Sequence, residues 1–361
     1  MLARARSSVA LVVGDESMVL QGNERTGLLS GETLRPRGVP AAERPARGTE
    51  RFRVRRCPRP ARRYIQAMAS ERLLKDVRAV EDLVVPAVVS DGAGVRLKRS
   101  IATPTIDHLD PFFLFDNFGS ENPDDYIAGF PMHPHRGIET VTYMLDGSVT
   151  HRDSLGNQGT IQAGDVQWMT AGSGILHEEM PHAGPRRLDG FQVWVNLPRQ
   201  LKMTTPRYQD IPSARIPELT APGGARVRVI AGNVDGVEGA VREIFAGPSY
   251  LDVALDSGGT FEHPVRRGHT ALLYVFRGQV EVAGKSVPSP RLAILGDGDV
   301  VRVRAASGDA RFLLLSAQPL EEPAVRYGPF VMNTEDEIRQ ALLDLRQGTF
   351  VKTRPASTPA R

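Results

Sequence analysis

Three histidines fall in two short segments, His133-Pro134-His135 and His177-Glu178-Glu179. In an extended strand, residues two apart project from the same face. Pro134 disfavours the helical region for His133, which keeps the H-x-H pair extended. His133 with His135, and His177 with Glu179, thus become two pairs of candidate ligands on two strands. Three imidazoles and one carboxylate suit a divalent first-row metal, and an octahedral ion held this way keeps two positions for water, substrate or dioxygen. Glu139 competes for the carboxylate position, because it lies four residues after His135 and shares its face in a continuous strand. Spacing alone leaves Glu139 and Glu179 as alternatives. His108, His151, His182, His263 and His269 are read as structural.

The elements that must carry these ligands are strands. From about residue 84, short β-branched and aromatic runs alternate with Gly, Asp, Asn and Pro. Val193–Leu197, Val227–Ile230, Ala271–Phe276, Ala293–Leu295, Val300–Val303 and Arg311–Leu315 are strand-length. With 35 Gly, 27 Pro and 24% charged residues, the chain reads as all-β. One helix is expected over Glu335–Gln347, where Thr334 and Glu337 form a capping box, Ile338, Leu342 and Leu345 repeat at helical spacing, and Gly348 follows. A weak internal repeat suggests a duplicated domain. Tyr143 to Val149 and Tyr274 to Val280 share Y-x-x-x-G-x-V, and Gly-Asp-Val follows each, at 164–166 and at 298–300. The implied rhythm is strand, tight glycine turn, returning strand, as in a jelly roll or cupin-like barrel. Carrying the ligand positions across the repeat lands on Pro264, Arg266, Thr270, Arg311 and Leu313, none of which could replace its counterpart, so the second copy is expected to hold no metal.

The chain of 361 residues carries a net charge of +3, but fourteen Arg, no Lys and six acidic residues in 1–67 give that stretch +8. The remainder is acidic at −5, which argues against a nucleic-acid partner. Residues 1–67, with five prolines and few large apolar residues, are expected to be a disordered Arg-rich extension. The single cysteine, Cys57, excludes an intrachain disulfide and points to a reducing compartment, the cytoplasm. No apolar run is long enough to span a bilayer, so no membrane partner is expected. Trp168 and Met169 are expected to pack beneath a glycine-rich turn, Phe112, Phe113, Phe115 and Phe118 to be core, and Arg96, Lys98 and Arg99 to form a solvated strand face.

The stretches Gly129-Phe130-Pro131-Met132-His133-Pro134-His135-Arg136-Gly137 and Gly164-Asp165-Val166-Gln167-Trp168-Met169-Thr170-Ala171-Gly172, with Ile175-Leu176-His177 and Glu179-Met180-Pro181, resemble the pirin family of the cupin superfamily. So do Leu109-Asp110-Pro111-Phe112 and Gly328-Pro329-Phe330-Val331-Met332-Asn333. The resemblance spans about 84–350. It implies a bicupin of two antiparallel β-barrels: a metal-binding cupin domain over 84–207, a degenerate one over 208–325, and a C-terminal segment with the helix over 326–350. It further implies a non-haem iron in the first barrel only, held by His133, His135, His177 and Glu179, with Glu139 a neighbour that orients an imidazole. Other divalent first-row metals fit the same donors. Met132 departs from the Asp of many relatives.

The resemblance implies two kinds of function. Bacterial members resemble quercetin 2,3-dioxygenases, which open the flavonol heterocycle with dioxygen and release carbon monoxide; Glu179 would then be the base that takes the substrate's hydroxyl proton. Eukaryotic members act as nuclear, iron-dependent co-regulators, in which the metal's redox state alters a surface that binds a transcription factor or a metabolic enzyme. The expectation adopted is the enzyme, with a phenolic or flavonol substrate and O2.

Overall fold

The computed structural model describes residues 76–184 and 187–352; the extension expected over 1–67 lies outside the described residues. The first half of the described chain runs β1 (Val80–Val84), β2 (Ala87–Asp91), β3 (Val95–Ile101), β4 (Phe112–Ser120), β5 (Phe130–His135), β6 (Ile138–Asp146), β7 (Ser148–Asp153), β8 (Gln158–Gln162), β9 (Val166–Thr170), β10 (Ile175–Pro181), β11 (Leu188–Asn196) and β12 (Arg207–Ile211). The second half runs β13 (Glu218–Thr220), β14 (Arg226–Ala231), the short pair β15 (Asn233–Val234) and β16 (Val237–Glu238), β17 (Ser249–Leu255), β18 (Thr260–Pro264), β19 (Thr270–Arg277), β20 (Gln279–Val282), β21 (Lys285–Pro288), β22 (Arg291–Leu295), β23 (Val300–Arg304) and β24 (Ala310–Ala317). The hairpin of β25 (Val325–Tyr327) and β26 (Phe330–Met332) leads into α1 (Glu335–Gln347).

Two antiparallel sandwiches result, each a seven-stranded sheet facing a four-stranded one. The first pairs β12-β9-β6-β11-β4-β3-β2 with β5-β10-β7-β8, and the second β1-β22-β19-β24-β17-β14-β13 with β18-β23-β20-β21. The repeat seen in the sequence is the turn from β6 to β7 at Gly147 and from β19 to β20 at Gly278, both with positive φ. Two strands cross between the halves. The first strand, β1, is the edge strand of the second sandwich, paired with β22 from Val80 opposite Leu295 to Val84 opposite Leu292. After the second sandwich is complete, β26 and α1 return to the first.

Strand parity sorts the side chains. Along β6 and β11, Val141, Tyr143, Phe191, Val193 and Val195 face the second half. There they pack with Trp168, Tyr250, Leu272, Tyr274, Leu292, Leu313 and Leu315 in one buried cluster. Each large aromatic in it buries on the order of 150–250 Å², or about 4–6 kcal/mol at 25 cal/mol per Å² as an upper estimate, so the two halves are firmly joined. The alternate residues point into the first sandwich. There Val95, Leu97, Phe118, Met144, Val149, Ile161 and Leu188 form one apolar cluster, and Phe113, Ile138, Met169, Ala171 and Ile175 another. The interior of the second sandwich is filled by Val227, Val229, Leu251, Val253, Phe261, Leu273, Phe312, Leu314 and their neighbours.

The helix occupies the expected residues. Thr334 accepts a hydrogen bond from the Glu337 amide, the Glu337 carboxylate closes the capping box, and Gly348 caps the other end in the left-handed conformation. Ile338 and Ala341 bury the inner face against Phe330, Met332 and Phe350.

Candidate metal centre

The neighbouring strands β5 and β10 carry the three histidines, with His177 directly opposite His133 and Ile175 opposite His135. The imidazole centroids lie 4.8 Å (His133 to His135), 4.4 Å (His133 to His177) and 5.0 Å (His135 to His177) apart. One nitrogen of each lies within 4.8 Å of the others. Among the described residues this is the one cluster of three or more His, Cys, Asp or Glu side chains able to hold a metal ion.

The protonation states suit a ligand set. Burial, reinforced by the neighbouring histidines, holds His135 and His177 well below the usual imidazole range, so both are neutral at pH 7. His133, half-buried at the rim, has Nδ1 2.9 Å from the Pro131 carbonyl oxygen. An acceptor there fixes the proton on Nδ1 and leaves Nε2 with a free lone pair. His135 Nδ1 and both ring nitrogens of His177 are buried with no hydrogen-bond partner among the described residues. Buried polar atoms are nearly always satisfied. Converging, unpartnered imidazole nitrogens fit a divalent first-row ion.

Glu179 is two residues past His177, but an irregularity in the β5–β10 register sets it opposite Phe130. Its carboxylate is not part of the tight imidazole group. It is buried, lines the same cavity, and has Oε1 3.0 Å from Thr142 Oγ1. Burial pushes its pKa up to about 7, against the opposing hydrogen bond from Thr142.

Glu139 is elsewhere. Gly137, at φ 81°, separates β5 from β6, so the two-residue parity that would align Glu139 with His135 does not run through. Glu139 points to the other side of the sheet, where Thr170 Oγ1 donates to its Oε1 at 2.7 Å. It orients a threonine and not an imidazole. Met132 does not line the cavity.

The cavity next to the histidines has mostly apolar walls, Val95, Leu97, Leu114, Phe118, Phe130, Val149, Leu188 and Trp194 among them. Its polar lining, apart from His133, His135 and Glu179, is Thr142, Gln192, Asp116, Arg99 and Asp91. Arg99, expected on a solvated face, turns inward: Val95, Leu97 and Arg99 share the cavity side of β3, while Arg96 is 62% exposed. The guanidinium of Arg99 donates from Nε and Nη2 to the two Asp116 oxygens at 2.9 and 2.7 Å, and from Nη2 to Asp91 at 2.6 Å. The V-x-L-x-R alternation was the available signal for it. Thr142 and Gln192 carried no signal, because each looks like an ordinary strand residue.

The C-terminal segment braces the turn after His135. Arg136, buried, donates from Nε to Ser173 O (2.8 Å), from Nη1 to Asp344 Oδ2 (2.8 Å) and from Nη2 to Phe350 O (3.0 Å). The guanidinium carbon stands 4.3 Å from the Phe350 ring centroid. Lys202, also buried, donates to Gly137 O (2.9 Å), Val331 O (2.7 Å) and Asn196 Oδ1 (2.5 Å). These contacts hold the metal-bearing turn against α1 and β26.

Comparison with known proteins places both halves. Residues 94–195 match the family model described as Pirin, and residues 250–351 match that of the Pirin C-terminal cupin domain. A Pseudomonas aeruginosa protein named "Putative quercetin 2,3-dioxygenase" is 47% identical over 280 residues, 76% of this chain and 98% of its own length. Human pirin is 43% identical over 264 residues, 71% of this chain and 88% of its own. The crystal structure of a quercetin 2,3-dioxygenase from Acinetobacter baumannii superposes with a TM-score of 0.70 at 37% identity, covering 76% of this chain and 98% of that one.

Proposed function

The chain belongs to the pirin family, and from that premise we propose that it is a metal-dependent dioxygenase, with iron as the metal, acting on quercetin or a related phenolic or enediol substrate with O2. The observation that carries the reading is the convergence of three neutral imidazoles, with unpartnered buried nitrogens among them, two of which line an apolar-walled cavity that also contains a buried carboxylate.

His133, His135 and His177 would hold the ion, with Glu179 as the fourth ligand. When bound, such an ion supplies Lewis acidity and one-electron redox chemistry at the end of the cavity. Glu179, buried in the same cavity, would take the proton of the substrate hydroxyl that enters beside the histidines. Thr142 holds Oε1 of that carboxylate. Phe130, Leu114, Phe118 and Trp194 offer flat and aliphatic walls to an aromatic ring and exclude water from it. No helix among the described residues is long and apolar enough to cross a membrane, and we place the protein in the cytoplasm.

The test is anaerobic purification from native-level expression, with metal analysis followed by quercetin and O2 consumption on the same sample. Stoichiometric iron with turnover that disappears in His133→Ala supports the dioxygenase. Stoichiometric iron without turnover replaces it with a binding protein whose partner affinity depends on the metal's oxidation state.

A further inference from the structure

The polar residues of the cavity are not scattered. Thr142 on β6 is the direct cross-strand partner of Gln192 on β11, Gln192 that of Asp116 on β4, and Asp116 that of Arg99 on β3. One rank of four polar side chains therefore crosses four adjacent strands on an otherwise apolar face. It starts at the hydrogen bond to Glu179 and ends at the Arg99–Asp116 pair. Strands lie about 4.8 Å apart, so the rank spans about 14 Å. That is comparable to the long axis of a three-ring phenolic.

The far end of the rank is equipped to bind. Asp116 is buried, and each of its oxygens keeps a lone pair beyond the one given to Arg99. Arg99 leaves Nη1 without a partner among the described residues, although its side chain is only 15% exposed. Gln192 contacts Thr142 Oγ1 at 2.7 Å and lines the cavity midway along the rank. Placed edge to edge, Asp116 and Arg99 offer an acceptor and a donor together, the pattern complementary to a phenolic hydroxyl, which both donates and accepts. A carboxylate ligand would meet Asp116 and Asp91 as well as Arg99, and is disfavoured by charge.

We propose that the Arg99–Asp116 pair is a second recognition point, which selects elongated phenolic substrates carrying a hydroxyl at the end remote from the histidines. The proposal rests on the reading of this cavity as a substrate site, and deepens it by naming what the distal end selects. It makes Arg99 and Asp116 specificity residues with no part in the reaction itself.

The test is a flavonol panel differing only on the pendant ring: quercetin with two hydroxyls there, kaempferol with one, galangin with none. Binding is measured by quenching of tryptophan fluorescence on the full chain loaded with Zn2+, so that nothing is consumed. Quercetin and kaempferol are expected to bind about 10- to 100-fold more tightly than galangin, the worth of hydrogen bonds to charged groups. In the double variant Arg99→Met with Asp116→Leu, which replaces both charges together, the preference should fall to within about 2-fold. Asp116→Asn, which keeps shape and volume, is the second variant and should lower the preference in the same direction. Equal binding of the three flavonols by the unmodified protein overturns the proposal, as does a preference that survives the double variant, or no binding at all. The same panel is run for O2 consumption on iron-loaded protein. Selective binding without turnover removes the dioxygenase reading and leaves this one standing. Turnover indifferent to the pendant hydroxyls does the reverse.

Discussion

Arg136 Nη1 lies 2.8 Å from Asp344 Oδ2, and the side chains of both residues are almost fully buried, at 2% and 5% exposure. Arg136 is the residue after His135, and Asp344 is in the last turns of α1, so the metal-bearing turn and the C-terminal helix are joined by a paired charge. Breaking a buried pair by removing one partner leaves an uncompensated charge. Asp344→Ala is therefore expected to lower stability by about 3–5 kcal/mol, measured as a shift of the urea midpoint at constant slope.

The same carboxylate gives the protein an acid limit. Lys352, Arg136 and Gln340 overcome the effect of burial and hold Asp344 down to about 2, against an ordinary 3.8. The folded-state value is the lower one, so the contribution is complete above pH 3.8 and is lost as pH falls toward 2. Unfolding followed from pH 5 to pH 2 should show this loss, and Asp344→Asn should flatten the profile across that window.

Removing one imidazole separates binding from folding. His177→Ala is expected to leave the circular dichroism spectrum unchanged, because the apolar clusters on either side of the site are untouched, and to reduce bound metal from stoichiometric to trace by elemental analysis. Full metal occupancy in the variant would dismiss the three-histidine site.

Glu179→Gln keeps the volume and the contact with Thr142 while removing the basic oxygen. With metal retained, turnover is expected to fall about 10²- to 10⁴-fold, the usual scale of general-base catalysis, with KM little changed. Loss of metal together with activity would instead assign Glu179 chiefly to holding the ion.

Gly137 is a site where a single methyl group is not accommodated. Its φ is 81°, and a Cβ there would meet the Val331 carbonyl oxygen at 2.1 Å. Gly137→Ala is expected to cost about 1–2 kcal/mol from the left-handed backbone, with the contact to the Val331 carbonyl adding to it, and to weaken metal retention, since the turn between His135 and β6 must move. Thermal unfolding with and without added metal reads both effects.

Much of this was legible in the chain. H-x-H and H-x-E announce same-face pairs because strand parity is fixed, and Thr334, Glu337 and Gly348 announce both ends of α1 because caps are local. Parity fails as a guide where a strand is interrupted. Glu139 looked aligned with His135 only if no break intervened, and Gly137 is that break. Arg99 was hidden for the opposite reason: a charged residue in a strand is ordinarily solvated, and Asp116 and Asp91, seventeen and eight residues away, make its burial tolerable. Pairings distant in sequence, such as β1 with β22, leave no local mark at all.

The exchange of chain ends bears on how such a molecule lives and fails. The second sandwich takes its edge strand from residues that precede the first, and Arg78 is buried there against the carbonyls of Arg266, His269 and Gly296. The first sandwich in turn is braced by a helix that follows the second. Neither half owns all its parts, so neither can melt, be proteolysed or be shed without exposing the other. The second half is thereby kept as a structural obligation, and the whole should unfold in one transition that metal loading shifts as a unit.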